Sequence, residues 1–247
     1  MPVCDLRKEP YTGVLCYPRA DEVVVECRIK ELEQLGVEEV EFNGKAGAFS
    51  IPVLGKGYVG VVVLAYSSGQ RFALKIRRVD ADRTGLQYEA TMLEKANSVN
   101  VGPRLVRVSQ NFLLMEFIDG DLLPCWIEKA EEPEAIRNVL RKTIVQCAKL
   151  DSISLDHGEL SKAPKHIIVD AAQEPCIVDF ETASLRRRPS NVSAICQYFF
   201  SSRGAIAQLI SGRIGPRNID NIIDTLRIYK HSGTQEGLTE VLNACLS

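Results

Sequence analysis

Three stretches of this chain place groups suited to handling phosphate and charge. Gly55-Lys56-Gly57-Tyr58-Val59-Gly60 sets three glycines in a G-x-G-x-x-G pattern. Lacking Cβ atoms, such a run lets backbone N–H groups approach an anion closely. Thirteen residues after Val62, Lys75 sits inside the apolar run Phe72-Ala73-Leu74-Lys75-Ile76. A lysine there is costly to bury unless it is paired. Cys176-Ile177-Val178-Asp179 is a second apolar run, and it ends in a carboxylate. The glycine pattern has two physical readings. A dinucleotide site needs strand, glycine loop and then helix. Here the loop runs into residues 61–66, then the turn-forming Ser67-Ser68-Gly69-Gln70, then residues 71–76. That is strand, turn, strand, so the glycines are expected in a hairpin.

Holding these groups requires a scaffold that periodicity outlines. Residues 19–35 read as a helix, with Asp21 and Glu22 near its start, Val24, Cys27, Leu32 and Leu35 at helical spacing, and Gly36 ending it. Val40-Glu41-Phe42 alternates like a short strand, and residues 50–76 hold the glycine hairpin. Residues 85–96 read as a helix with Leu86, Ala90, Leu93 and Ala96 on one face. Residues 105–108 and 112–117 read as strands joined by Ser109-Gln110-Asn111. Asp119-Gly120 is a turn signal after an apolar strand and the best boundary in the chain. Residues 134–150 then form a long helix with Ile136, Val139, Leu140, Thr143, Ile144, Cys147 and Leu150 in phase. Residues 165–169 and 176–180 suggest a hairpin, bracketed by Pro164 and Pro175, and residues 191–247 read as helices. Strands first and helices after imply an α+β chain of two lobes. The expected parts are residues 1–45, an added helix and strand packed on the first lobe; residues 46–118, the first lobe; and residues 119–247, the second.

Composition limits the class. The 247 residues are 45% hydrophobic, enough for one sizeable core or two small lobes. A net charge of −2 provides no global field favouring nucleic acid or an anionic membrane. The basic runs Arg77-Arg78 and Arg186-Arg187-Arg188 are expected to be solvated faces. No apolar run reaches membrane-spanning length, and residues 1–5 show no signal-peptide pattern, so a cytoplasmic protein is expected. The eight cysteines form no C-x-x-C and no histidine sits at zinc-like spacing. Most are expected to be small buried hydrophobes, with a disulfide left open.

Glycine hairpin, lysine strand, acidic helix, Met115-Glu116-Phe117-Ile118, His157-Gly158-Glu159-Leu160 and Asp179-Phe180-Glu181 occur in an order that resembles the protein-kinase-like fold. The resemblance covers residues 50–205 and looks closest to small atypical kinases of the RIO and KEOPS type and to small archaeal serine/threonine kinases. It implies a sheet lobe with one helix, and a reduced helical lobe. It further implies that Gly55, Lys56, Gly57 and Gly60 cover ATP phosphates, and that Val62 and Ala73 sandwich the adenine. Lys75 would bind the α- and β-phosphates, paired with Glu89; Glu94 is the rival partner. Met115 would lie behind the adenine, with Glu116 and Ile118 supplying hinge backbone contacts. Glu159 stands where the family has an aspartate that orients and deprotonates the substrate hydroxyl; Asp156 is expected to point elsewhere. Five residues past Glu159, the family's metal-binding asparagine is replaced by Pro164, and His166 is expected to take its place. Asp179 would hold Mg²⁺. Ala-Pro-Glu is absent, and only residues 182–189 separate the Asp179 motif from the next helix. The implied activity is an ATP- and Mg²⁺-dependent serine/threonine protein kinase of minimal type, acting on a protein hydroxyl, its own included. The alternatives are an ATP-binding switch or ATPase in a larger assembly, a small-molecule phosphotransferase, and an interaction domain without nucleotide. The segment 1–45 is a candidate partner surface.

Overall fold

The computed structural model describes residues 1–200 and 204–247. The chain is α+β and divides into two compact units. The first comprises Met1–Glu94 with Pro103–Phe117, and the second Lys95–Gly102 with Ile118–Ser247. The division thus falls within one residue of the expected boundary, but the segment Lys95–Gly102 joins the second unit.

In the first unit, apolar β-branched runs build an antiparallel sheet. After a 3-10 turn at Val3–Arg7 come α1 (Tyr11–Leu15), α2 (Glu22–Gln34) and β1 (Glu39–Glu41). The small hairpin of β2 (Ala46–Ala48) and β3 (Ile51–Val53) follows, then β4 (Gly55–Lys56), β5 (Gly60–Ser67), β6 (Gln70–Arg77), α3 (Gln87–Asn97), β7 (Leu105–Val108) and β8 (Phe112–Glu116). The sheet order is β1-β5-β6-β8-β7, with β4 paired to β5. Strand side chains alternate between faces. One face presents Val61, Val63, Ala65, Phe72, Leu74, Ile76, Phe112 and Leu114, all buried in a single core with Val3, Leu6, Val14, Leu15, Val25, Ile29 and Leu32. The N-terminal segment therefore shares one core with this face of the sheet, together with Ala48, Ile51 and Val53 of the β2–β3 hairpin. It also holds more than the expected helix and strand.

The stripe expected on α2 needs correction. Asp21 caps it by accepting from Val24 N, but the buried positions are Val25, Arg28, Ile29 and Leu32, while Cys27 is exposed. The cause is Arg28, an arginine only 1% exposed. Its guanidinium donates to Leu15 O and to Asn111 Oδ1, which lets a charged side chain occupy the core face. Burial lowers its pKa.

The second unit begins with β9 (Gly120–Leu122), α4 (Leu123–Lys129) and α5 (Pro133–Ser152). Gly120 is thus the start of a strand and not a turn: β9 pairs with β10 (Ile167–Asp170), which pairs with β11 (Pro175–Ile177). The expected strand at 176–180 is shorter and earlier: Val178 still donates its N–H to His166 O in register with the ladder, and the left-handed backbone of Asp179, φ +71, then takes the chain out of it. All seven residues predicted in phase on α5 are buried. Helices α6 (Asn191–Phe200), α7 (Ala205–Ile214), α8 (Ile219–Ser232) and α9 (Gln235–Leu246) complete the unit.

Arg77 and Arg78 are half-buried fasteners, whereas Arg186, Arg187 and Arg188 are exposed, as expected, with Arg187 also anchored. Arg77 donates to Asn111 Oδ1 and to two backbone carbonyls, and Arg78 forks onto Asp80. Arg187 donates to Asp156 Oδ2 at 2.6 Å and to Thr182 O. All eight cysteines are free thiols; Cys16, Cys147, Cys196 and Cys245 are buried, whereas Cys4 and Cys27 are exposed. Among the described residues, no helix is long and apolar enough to cross a membrane.

Candidate active site

Strand register assembles the first set of residues. Val62 pairs with Lys75, and Lys75 with Leu113; Leu64 pairs with Ala73, and Ala73 with Met115. These positions alternate with the core-facing ones, so Val62, Ala73, Lys75 and Met115 share the sheet face opposite the N-terminal layer. Lys75 Nζ lies 2.9 Å from each carboxylate oxygen of Glu89, on the first turn of α3. The two residues are 4% and 3% exposed. The rival Glu94 is exposed on the far side of the helix. Two desolvated charges at this spacing are strongly attracted.

The glycine hairpin is tighter than the sequence implied. Gly57 N–H donates to Gly60 O at 2.8 Å, closing a two-residue loop of Tyr58 and Val59. That N–H is committed within the loop and is not directed at an anion. The glycine with the least room is Gly60: a Cβ there would meet Ile76 O at 2.8 Å and Lys75 Cγ at 3.0 Å. It keeps β5 against the stem of Lys75. Added Cβ atoms at Gly55 and Gly57 would meet only ordinary contacts, at 3.9 and 3.8 Å. Lys56 is exposed, and its ammonium donates to Tyr17 OH. At the end of β8, Glu116 N–H donates to Arg104 O, and its side chain accepts from Arg104 N. Any nucleotide contact from Glu116 therefore rests on its carbonyl. Ile118 opens the second unit and is half-buried.

In the second unit, the hairpin of β10 and β11 brings three residues together. His166 precedes β10 and Asp179 follows β11. His166 Nε2 lies 3.3 Å from Glu159 Oε2 and 3.8 Å from Asp179 Oδ2. The three ligand-type atoms lie within 4.8 Å of one another. The side chains of Glu159 and Asp179 are 36% and 34% exposed, against 14% for His166. Asp179 has φ +71, a left-handed conformation that aspartate accepts more readily than bulky residues.

Behind this cluster, His157 is fully buried. Its Nε2 lies 3.1 Å from Val178 O, and its ring is 5.1 Å from Phe180 and 5.6 Å from His166. Burial, reinforced by His166, lowers its pKa to about 4, so the ring is neutral near pH 7. Gly158 has φ +91, and a Cβ there would meet Arg187 Nη2 at 2.6 Å. Asp156 points away from the cluster, toward Arg187.

Two positioning residues escaped the sequence reading. Asn191 Oδ1 accepts from His157 N, while Asn191 Nδ2 donates to Asp151 Oδ1 and Leu155 O. Asp151, at the end of α5, also accepts from Asn191 N and Val192 N; burial raises its pKa. These contacts span 34 to 41 positions, and no local pattern marks them.

The donor set suits a divalent cation: two carboxylates and an imidazole whose second nitrogen, Nδ1, is buried without a hydrogen-bond partner. Carboxylate oxygens serve Mg²⁺ or Mn²⁺, while imidazole moves preference toward transition metals. No known protein-family model matches the chain, and a search of curated proteins finds no similar sequence.

Proposed function

We propose that the chain is an ATP- and divalent-cation-dependent phosphotransferase with a two-lobed, protein-kinase-like architecture of minimal type, transferring the γ-phosphoryl group to a protein hydroxyl. The observation that carries this reading is the buried Lys75–Glu89 pair, set on the same sheet face as Val62, Ala73 and Met115. A lysine held charged on an apolar face is suited to an anionic ligand carrying an aromatic base.

In this reading Lys75 holds non-transferred phosphate oxygens and Glu89 fixes its ammonium. Val62, Ala73 and Met115 provide the apolar surface for the base, and Glu116 its carbonyl. Asp179 and His166 hold the metal ion, which when bound neutralises phosphate charge during transfer. The Glu159 carboxylate accepts the proton of the attacking hydroxyl as its oxygen bonds to phosphorus and the ADP oxygen leaves. Asn191 and Gly158 hold the chain segment that carries Glu159.

A second reading is favoured by one distance. Glu159 Oε2 sits 3.3 Å from His166 Nε2, which occupies the carboxylate that a hydroxyl would need. Kept so, the chain binds nucleotide and transfers phosphate slowly, as a switch or ATPase.

The test is calorimetric ATP binding with Mg²⁺ and Mn²⁺, followed by a transfer assay on wild type and Asp179→Asn. Asparagine keeps the side-chain size and tolerates the positive φ. Loss of transfer by about 100-fold or more is expected, the scale of a missing metal contact. Undiminished transfer in Asp179→Asn refutes the proposal. Tight binding with no transfer in the wild type selects the second reading.

A further inference from the structure

The glycine hairpin does not stand alone. Residues of the added N-terminal segment and of the β2–β3 hairpin converge on it through one aromatic ring, that of Tyr17. The Lys56 ammonium, on the hairpin itself, lies 5.0 Å from the Tyr17 ring centroid and 3.3 Å from its hydroxyl. The Arg78 guanidinium lies 5.0 Å from the same centroid. Arg78 also reaches the hairpin directly: Nη1 donates to Gly57 O at 3.2 Å, and its backbone N–H donates to Val59 O at 2.8 Å. On the other side, Tyr17 O accepts from Val79 N at 2.9 Å, fixing the residue that carries the ring. Phe49 completes the arrangement, with its ring 5.1 Å from that of Tyr17. Phe49 and Ser50 turn the β2–β3 hairpin with φ +50 and +62. A bulky residue in that region is strained and persists only where its surroundings hold it. Gly13 leaves the space it needs: a Cβ there would lie 2.9 Å from Phe49 Cδ2.

We propose that Tyr17 is a positioning residue for the glycine hairpin, through which residues 1–45 set how tightly the chain binds nucleotide. This deepens the phosphotransferase reading and rests on it for the nucleotide, though not for the hairpin. The ring backs the Lys56 ammonium and the Arg78 guanidinium, which Asp80 also clamps; the guanidinium reaches Gly57 O, while the Arg78 backbone N–H holds Val59 O. Lys56 is thereby kept against the ring, although the residue as a whole is exposed. The tip residue Tyr58, 90% exposed, has no such restraint of its own in the core. Loosening the ring contact leaves the sheet intact, because Tyr17 is half-buried at the edge of the N-terminal layer.

Hydrogen exchange of the backbone amides at 55–60 tests this without nucleotide, on the full chain. Tyr17→Leu is expected to speed exchange there by about threefold to thirtyfold, the range of a cation–π contact, with little change in β6 or β8. Tyr17→Phe keeps the ring and is expected to restore most of the protection. ATP binding by calorimetry then weakens by a similar factor in Tyr17→Leu, and in a transfer assay KM rises while kcat stays within about twofold. Unchanged exchange at 55–60 overturns the proposal. Exchange rising equally across the whole sheet also overturns it, leaving Tyr17 a structural role only. Should Tyr17→Leu fail to fold, Lys56→Met reads the same contact from its exposed side. Faster exchange confined to the hairpin supports the proposal, and equal exchange overturns it. If the hairpin loosens as expected but wild type binds no ATP, the positioning role stands and the phosphotransferase reading fails.

Discussion

The ion pair of the sheet unit and the cluster of the helical unit hold charge in opposite ways. Lys75 and Glu89 are almost wholly buried, and both carboxylate oxygens meet the ammonium at 2.9 Å. Glu159 and Asp179 keep about a third of their side chains in water, and the imidazole between them sits at 3.3 and 3.8 Å. The first arrangement is preorganised: desolvation makes separation costly, so the lysine is fixed before any ligand arrives. The second is loose enough to exchange partners, which the proposed exchange of metal and proton would require. Stability and chemistry are thus divided between the two regions, and that division can be tested.

The largest effect is expected from Glu89→Ala, which leaves the Lys75 charge buried. It should destabilise the chain by about 3–5 kcal/mol in urea unfolding, with Lys75→Met/Glu89→Leu recovering most of that. Asp179→Asn should shift stability by no more than about 1 kcal/mol, because its side chain keeps a third of its surface in water. Equal losses in Glu89→Ala and Asp179→Asn would erase the contrast.

His157 extends the dry behaviour into the second unit. Its folded pKa of about 4 lies below the ordinary 6.5, so between these values the unfolded chain binds a proton that the folded chain refuses. The stabilisation is full above pH 6.5 and is lost as pH falls toward 4, by on the order of 3 kcal/mol. Urea unfolding at pH 7 and pH 5 should show about 2 kcal/mol of it, and His157→Gln should flatten that part of the pH dependence.

Next in size is Gly60→Ala, whose new methyl group would press on Ile76 O and the Lys75 stem. A loss of about 1–3 kcal/mol is expected, against no more than about 0.5 kcal/mol for Gly57→Ala. Thermal unfolding of the pair separates a glycine required by packing from one that packing tolerates.

The smallest effect sharpens the open region. His166→Asn replaces an imidazole by an oxygen donor. The preference for Mn²⁺ over Mg²⁺, titrated with the metal alone, should fall by about tenfold. An unchanged ratio would remove His166 from the ligand set.

Much of this was readable in the chain itself. The α5 stripe, the strand–turn–strand placement of the glycines, and the choice of Glu89 over Glu94 all follow from periodicity, which a helix or strand enforces residue by residue. The α2 stripe was misread because periodicity counts apolar residues, and Arg28 lies on the buried face with its terminal nitrogens bonded to groups 13 and 83 positions away. The Arg77-Arg78 run misled for the same reason: local composition does not reveal that Arg77 meets Asn111.

By itself the sequence determined the alternation within β5, β6 and β8 that puts Val62, Ala73, Lys75 and Met115 on one face once those strands pair. That information is local, written in periods of two and 3.6. Tertiary structure decided the rest: that a hairpin carries His166 between Glu159 and Asp179, that Asn191 holds the backbone of His157, and that Tyr17 reaches the glycine loop. Those contacts join residues 7 to 39 positions apart, at distances set by how whole elements pack and not by any neighbour in the chain.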